Sequence, residues 1–362
     1  MNLKVGNVNV DIANYVLPSH KIDYGTGKRV VLIADLHGYH NDDEKKKAII
    51  EAIRQQGPHH IILAGDIMRA TLWRKNGIEV QNFRSFIKEL SDIAPIFISQ
   101  GNHDVQGKGE QLKENDRVFM EVASVNPGRV FPLINGSMVY DGFEIIGFTP
   151  TASLVEDLTI QMHGIAHDKF IKEFGEKSTA KPTSKDDVII EYAGHNPYLI
   201  AVSENGIGLG DLIPVDSFFT GHLHNGYIKP EKSNADPDKY LDGRGWVERP
   251  IDKDRKGKII PWSIRPFFGE TNLCRGVVYV DDRSQQRILQ LRNGHFYRND
   301  NLKDNKQKWV LIDPKEARKI ILDNKLHALI ISGGLHKYTG IQHEDREQPE
   351  ITVVDYEGTR KK

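Results

Sequence analysis

Five short segments of the chain carry residues able to hold a metal ion or move a proton. They are Asp35-Leu36-His37, Gly65-Asp66, Gly101-Asn102-His103-Asp104, Gly194-His195-Asn196 and Gly221-His222-Leu223-His224. Imidazole with carboxylate and amide oxygen suits divalent manganese, iron or zinc. The single cysteine, Cys274, excludes an intramolecular disulfide and a thiolate-built metal site. Alternate residues of an extended segment share a face. Asp35 can therefore converge with His37, and His222 with His224, where the chain has left the regular pleat. The glycines permit tight turns where the backbone must bend to present a ligand.

Each segment directly follows an apolar run of strand character. Residues 29–34 read RVVLIA, rich in β-branched residues, as in a strand buried on both faces. Residues 42–56 place Ala48, Ile49, Ala52 and Ile53 at helical spacing, with acidic residues early and Gly57 where a C-cap would stand. A strand over 61–64, a helix over 80–90 and a strand over 96–99 follow. This β-α-β-α-β order predicts parallel strands covered by helices. The ends of parallel strands share one sheet edge, where open α/β folds build their ligand sites. After residue 130 the pattern changes to short strands over 131–134, 137–140 and 143–148, separated by Asn-Gly and Asp-Gly turn signals. Further strands are expected over 188–193, 217–220 and 276–280. Together these predict an α/β fold, a four-layer αββα sandwich of two mixed sheets.

The informative residues lie within 1–283, read as one domain with insertions near 105–130, 151–186 and 226–262. The last of these is rich in Gly, Pro, Asp and Lys and is expected to be irregular. It begins just after His224, so it is expected to border the substrate site. Residues 284–362 read as a C-terminal extension of unknown role, with a hairpin signal at Arg292-Asn293-Gly294 and a helix over 314–322. The 362 residues are 38% hydrophobic and 27% charged, enough for a large core, and the formal net charge of -1 gives no global case for nucleic acid or an anionic membrane. Met1 to Val10 alternates polar and apolar residues without a signal-peptide core, and no apolar run reaches membrane-spanning length. A cytoplasmic protein is the expectation.

The order D-x-H, G-D, G-N-H-D, H, G-H-x-H across residues 35–224 resembles the calcineurin-like metallophosphoesterases. Any one element arises by chance; five in order, each after a strand, are specific. The resemblance implies a metallo-dependent phosphatase-like fold and two divalent metal ions, manganese first, with iron, zinc, nickel or cobalt as alternatives. It implies that Asp35, His37 and His224 bind the first ion and Asn102, His195 and His222 the second, with Asp66 bridging both. His195 rests on the shortest element. The implied reaction is hydrolysis of a phosphomonoester or phosphodiester by a metal-activated hydroxide. His103 would be the general acid on the leaving group, oriented by Asp104.

Other residues have plainer readings. His163 and His167 stand four apart in a helix-prone insertion but lack a third ligand. His40 reads as a loop residue. Arg69 and Arg74 read equally as phosphate contacts or as solvated side chains. His59-His60 reads as structural, Lys45-Lys46-Lys47 as a solvated helix face, and Cys274 as a small buried residue. Two other functions compete. One is a nuclease resembling the Mre11 and SbcD family, which would make nucleic acid the substrate and call for a basic track or aromatic platform beside the site. The other is a non-catalytic metal-binding scaffold, which would not need His103. The substrate, the native metal and the oligomeric state are not encoded in any motif read here.

Overall fold

The fold was taken from a computed structural model. It describes residues 2–36, 38, 41–67, 77–101, 104, 117–122, 124–134, 136–147, 188–195, 215–221, 239–242, 245–248, 276–280, 287–292, 295–300, 308–331, 336–339, 342–345 and 349–361.

In chain order, β1 (Asn2–Val5) and β2 (Val8–Asp23) form a hairpin, followed by β3 (Gly27–Ile33) and helix α1 (Asp43–Gln56). Strand β4 (His60–Ala64), helix α2 (Gly77–Ile93), β5 (Ile96–Ser99) and β6 (Val130–Pro132) complete the alternating half. The hairpin of β7 (Gly136–Tyr140) and β8 (Phe143–Gly147) precedes β9 (Ile189–Ala193) and β10 (Ser217–Thr220). A small hairpin, β11 (Lys239–Asp242) and β12 (Gly245–Glu248), interrupts the stretch expected to be irregular. Then come β13 (Gly276–Val280), β14 (Arg287–Arg292), β15 (His295–Asn299), β16 (Trp309–Ile312) and helix α3 (Pro314–Asp323). The chain continues through β17 (His327–Ile331), the hairpin β18 (His336–Thr339) and β19 (Gln342–Asp345), and β20 (Glu350–Arg360).

Seven strands in the order β1-β2-β20-β3-β4-β5-β6 make one mixed sheet, and nine in the order β16-β15-β14-β13-β17-β10-β9-β8-β7 make another. Neighbours are parallel from β3 through β6 and from β8 through β10 to β17, and the rest mix both senses. The sheets face one another across a core that includes Val30, Leu32, Ile62 and Phe97 from the first and Phe143, Ile189, Phe219 and Val277 from the second. On the first sheet's other face, Val31, Ile33, Ile61 and Leu63 join Ala48, Ile49, Ala52 and Ile53 of α1 and Phe83, Phe86 and Leu90 of α2. On the second sheet, Ile190, Tyr192, Phe218 and Leu329 alternate with the inward residues and are buried too. Both faces of that sheet are therefore buried at its central strands β9, β10 and β17. The helix-prone 151–186 segment lies outside the described residues.

Local signals held where they were strongest. Asp42 caps α1 by accepting hydrogen bonds from the Glu44 and Lys45 amides, and Gly57 closes it in the left-handed conformation. The C-terminal part of the chain contributes strands to both sheets: β14 to β17 lie within the second sheet, and β20 lies between β2 and β3 in the first. Leu329 and Ile330 of β17, and Ile351, Val353 and Val354 of β20, are buried. The apolar runs were present in the sequence, but nothing local says that a strand at residue 352 pairs with one at residue 32.

Candidate metal centre

The parallel strands deliver their C-terminal ends to one place. Asp35 follows β3, Asp66 follows β4, Gly101 follows β5, His195 follows β9 and Gly221 follows β10. The backbone ties these ends together. The Asp35 amide donates to the Gly65 carbonyl at 3.1 Å and the Gly221 amide to the His195 carbonyl at 2.9 Å, the latter joining two strand ends of the second sheet. Asp35 and Asp66 both have positive φ, 54° and 51°. Non-glycine residues pay for that conformation, on the order of 1–3 kcal/mol each, and it concentrates at functional sites. The chain has left the pleat at Asp35, as convergence of that segment requires.

Two glycines mark how tightly the ends approach. A Cβ at Gly101 would lie 2.2 Å from Asp66 Oδ1, and one at Gly221 would lie 2.9 Å from Asp35 Oδ2 and 2.4 Å from Ala34 Cβ. Neither space accepts a side chain. Gly101 thus lies against Asp66, and Gly221 against Asp35.

Asp35, Asp66 and His195 are buried, and their ligand atoms all lie within 4.8 Å of one another. His195 Nε2 stands 3.0 Å from Asp66 Oδ2 and 3.7 Å from Asp35 Oδ1. The other ring nitrogen, Nδ1, donates to the Ala64 carbonyl at 2.7 Å. That bond fixes the tautomer and aims Nε2 at the carboxylates, the usual arrangement of a ligating imidazole. Burial alone would lower the imidazole pKa. The adjacent Asp66, then Asp35 and the Ala64 carbonyl, overcome this and raise it to about 10. The carboxylates thus favour the protonated ring, and a metal held at Nε2 would have to displace that proton. Two buried carboxylates facing one imidazole are costly unless a cation compensates them, and the donor set suits a hard or borderline divalent ion.

Asp104 is buried beside this group. Its Oδ2 accepts from the Gly101 amide at 2.8 Å and from the Ile67 amide at 3.4 Å. It therefore straps the loop after β5 to the loop after β4, a backbone role the sequence did not suggest. We expect Asp104→Ala to lower stability by about 1–3 kcal/mol, the cost of leaving buried amides without an acceptor. Asp104→Asn keeps a carbonyl acceptor and should lose less. Urea midpoints check this, and equal losses would count against the strap.

The structure thus brings together Asp35, Asp66 and His195, with Asp104 alongside. The expected His37, Asn102, His103, His222 and His224 lie outside the described residues, as do His40, Arg69, Arg74, His163, His167 and Cys274. His59 is structural as read, its Nδ1 accepting from the Arg29 amide at 2.9 Å. Sequence reasoning missed Glu191, a charged residue inside the apolar run 188–193 and fully buried. Its signal was that interruption.

A mixed two-sheet sandwich with buried carboxylates and an imidazole at its parallel strand ends defines a metal-site protein of the α/β class. The chain belongs to the calcineurin-like phosphoesterase family, whose family model matches residues 28–226, more than half of the chain. No curated protein matches the sequence. Among solved structures, a dimetal phosphatase from Danio rerio is 10% identical, with 55% of this chain and 82% of that one covered and a TM-score of 0.31. A chain assigned as a 5'-nucleotidase from Staphylococcus aureus is 13% identical, with 85% of this chain and 55% of that one covered, at the same TM-score of 0.31. No helix among the described residues is long and apolar enough to cross a membrane.

Proposed function

We propose that this chain is a cytoplasmic, dinuclear metal-dependent hydrolase of phosphomonoesters or phosphodiesters. The observation that carries the reading is the convergence of buried Asp35, Asp66 and His195 from strands of both sheets. Asp35, His37 and His224 hold one ion and Asn102, His195 and His222 the other, with Asp66 shared; manganese is the first choice. Two cations about 3.5–4 Å apart neutralise phosphate oxygens and make water a nucleophile at neutral pH. The Nδ1–H bond to Ala64 keeps His195 Nε2 directed at the Asp66 and Asp35 carboxylates, with which it would hold an ion. The Asp104 strap keeps Gly101 against Asp66.

His103 protonates the leaving oxygen. That matters most for alkyl and sugar alkoxides, which leave poorly, and least for nitrophenolate. His103→Ala should lower kcat on alkyl esters by about 10²–10⁴-fold, the usual size of general acid catalysis, and less on a nitrophenyl ester, with metal content unchanged. Equal losses on both esters would point to charge stabilisation instead of proton donation. No loss on either would favour a scaffold.

The substrate class is decided by assaying the metal-reconstituted chain on a chromogenic monoester, a diester, cyclic nucleotides and single- and double-stranded DNA. Turnover of DNA alone would select the nuclease resembling Mre11 and SbcD. Absence of turnover on every substrate, with metal bound, would overturn the enzyme reading.

A further inference from the structure

Between the sheets lies a polar cluster that the proposed chemistry does not use. His60, Glu191, Ser217 and Tyr356 are all buried. His60 Nε2 lies 2.8 Å from Glu191 Oε2, and the Tyr356 hydroxyl donates to Glu191 Oε1 at 2.8 Å. The Ser217 hydroxyl is bonded to that of Tyr356. Burial, and then the Glu191 carboxylate, hold the Tyr356 phenol well above its ordinary pKa, so it remains a donor. The His60 ring is walled by Phe97 and Phe143, at centroid distances of 5.4 and 4.7 Å, and its Nδ1 finds no hydrogen-bond partner among the described residues. A buried carboxylate beside an unsatisfied imidazole nitrogen is a poor way to gain stability. Apolar residues of similar volume at such sites are often neutral or better.

The placement of the cluster suggests another role. His60 opens β4 in the first sheet and Glu191 lies in β9 of the second. The same two strands are joined again at their far ends, where His195 Nδ1 donates to the Ala64 carbonyl. Both links join residues 131 apart in sequence, so β4 and β9 are held twice in a single register. Tyr356 of β20 and Ser217 of β10 add a second strand from each sheet. The surrounding apolar core is non-directional and resists sliding weakly, whereas these hydrogen bonds fit one alignment only. A slip of one residue moves a strand about 3.3 Å, more than enough to break the 3.0 Å approach of His195 Nε2 to Asp66 Oδ2.

We propose that Glu191, with His60, Tyr356 and Ser217, is a register pin between the sheets, a positioning group that sets His195 of the second sheet against Asp66 of the first. The inference rests on the metal-centre reading. Metal-stripped full-length chains are compared for Mn²⁺ affinity by calorimetry and for folding by urea midpoint. Glu191→Met, apolar and of similar reach, should keep or raise the midpoint while weakening Mn²⁺ binding about 10-fold or more, the size seen when outer partners of metal ligands are lost. A merely structural residue would not separate the two readouts in that way. Glu191→Gln should restore most of the affinity, because its amide can accept from Tyr356 and donate to the other tautomer of His60.

Wild-type affinity in a folded Glu191→Met chain would overturn the pin. If that variant does not fold, Tyr356→Phe decides, since it removes only one tie: weaker Mn²⁺ binding at an unchanged midpoint supports the pin, and unchanged binding overturns it. A wild-type chain that takes up none of Mn²⁺, Fe²⁺, Zn²⁺, Ni²⁺ or Co²⁺ would overturn the metal centre and this inference with it. Wild-type binding matched by every variant would overturn the pin alone.

Discussion

Asp66→Ala should empty both metal positions at once and lower phosphoesterase turnover by at least about 10³-fold. The size follows from the role. Lewis-acid stabilisation of a phosphoryl transition state is worth several kcal/mol, and each 1.36 kcal/mol is a factor of ten. Asp66 is the shared ligand in the proposed set, and its Oδ2 is the nearer carboxylate contact of His195, at 3.0 Å against 3.7 Å for Asp35. Removing it leaves each position one ligand short and frees the imidazole of its main electrostatic partner. Metal analysis of the purified variant gives the direct readout, expected near zero ions per chain against about two for wild type. Asp66→Asn is the necessary companion, since it keeps the side-chain shape at a residue with φ of 51°. Full metal content in the alanine variant would remove the bridging role. Loss of one ion but not the other would turn Asp66 into an ordinary ligand.

A chain ending at residue 349 should fail to fold cooperatively. Strand β20 pairs with β2 in parallel, beginning at Asp11 with Glu350, and with β3 in antiparallel fashion, from Leu32 with Thr352 to Gly27 with Glu357. Its loss leaves the facing amides and carbonyls of both neighbours without partners in the centre of a sheet. It also removes Ile351, Val353, Val354 and Tyr356 from the two cores. Burying one such side chain is worth about 1.5–3 kcal/mol, and net folding stability is only about 5–15 kcal/mol. Four of them, with the lost ladder, are comparable to the whole. Thermal melts followed by circular dichroism should show no sharp transition. A truncated chain that melts cooperatively and still binds Mn²⁺ would make β20 a dispensable addition.

The two expectations contrast in how they could be reached. The segments of Asp35, Asp66 and His195 stood out in the sequence because their chemistry is local. An aspartate or histidine at the end of an apolar run, next to a glycine, announces both its residue type and its place on a strand end. The closing Gly57 of α1 was readable for the same reason, since a cap is an arrangement of residues a few positions apart, whereas the capping role of Asp42 came from the structure. The parallel order β3-β4-β5 followed from alternation with helices, because a crossover constrains the strands it joins.

The sequence by itself determined the class of chemistry, the residues that could carry it and the layered α/β character. The tertiary structure decided which strands meet. Residues 351–354 are all β-branched, but pairing with β2 and β3 spans more than 300 residues, and many partners are equally hydrophobic. Hydrophobic attraction is non-directional, so it selects burial and not neighbours. The same limit hid Glu191. A glutamate inside an apolar strand is an anomaly until His60 and Tyr356 arrive from the opposite sheet. Asp104 likewise showed its carboxylate bonds to the Gly101 and Ile67 amides only after two loops had folded against each other. Residue type and spacing name the donors; only the packed sheets determine which acceptor each one meets.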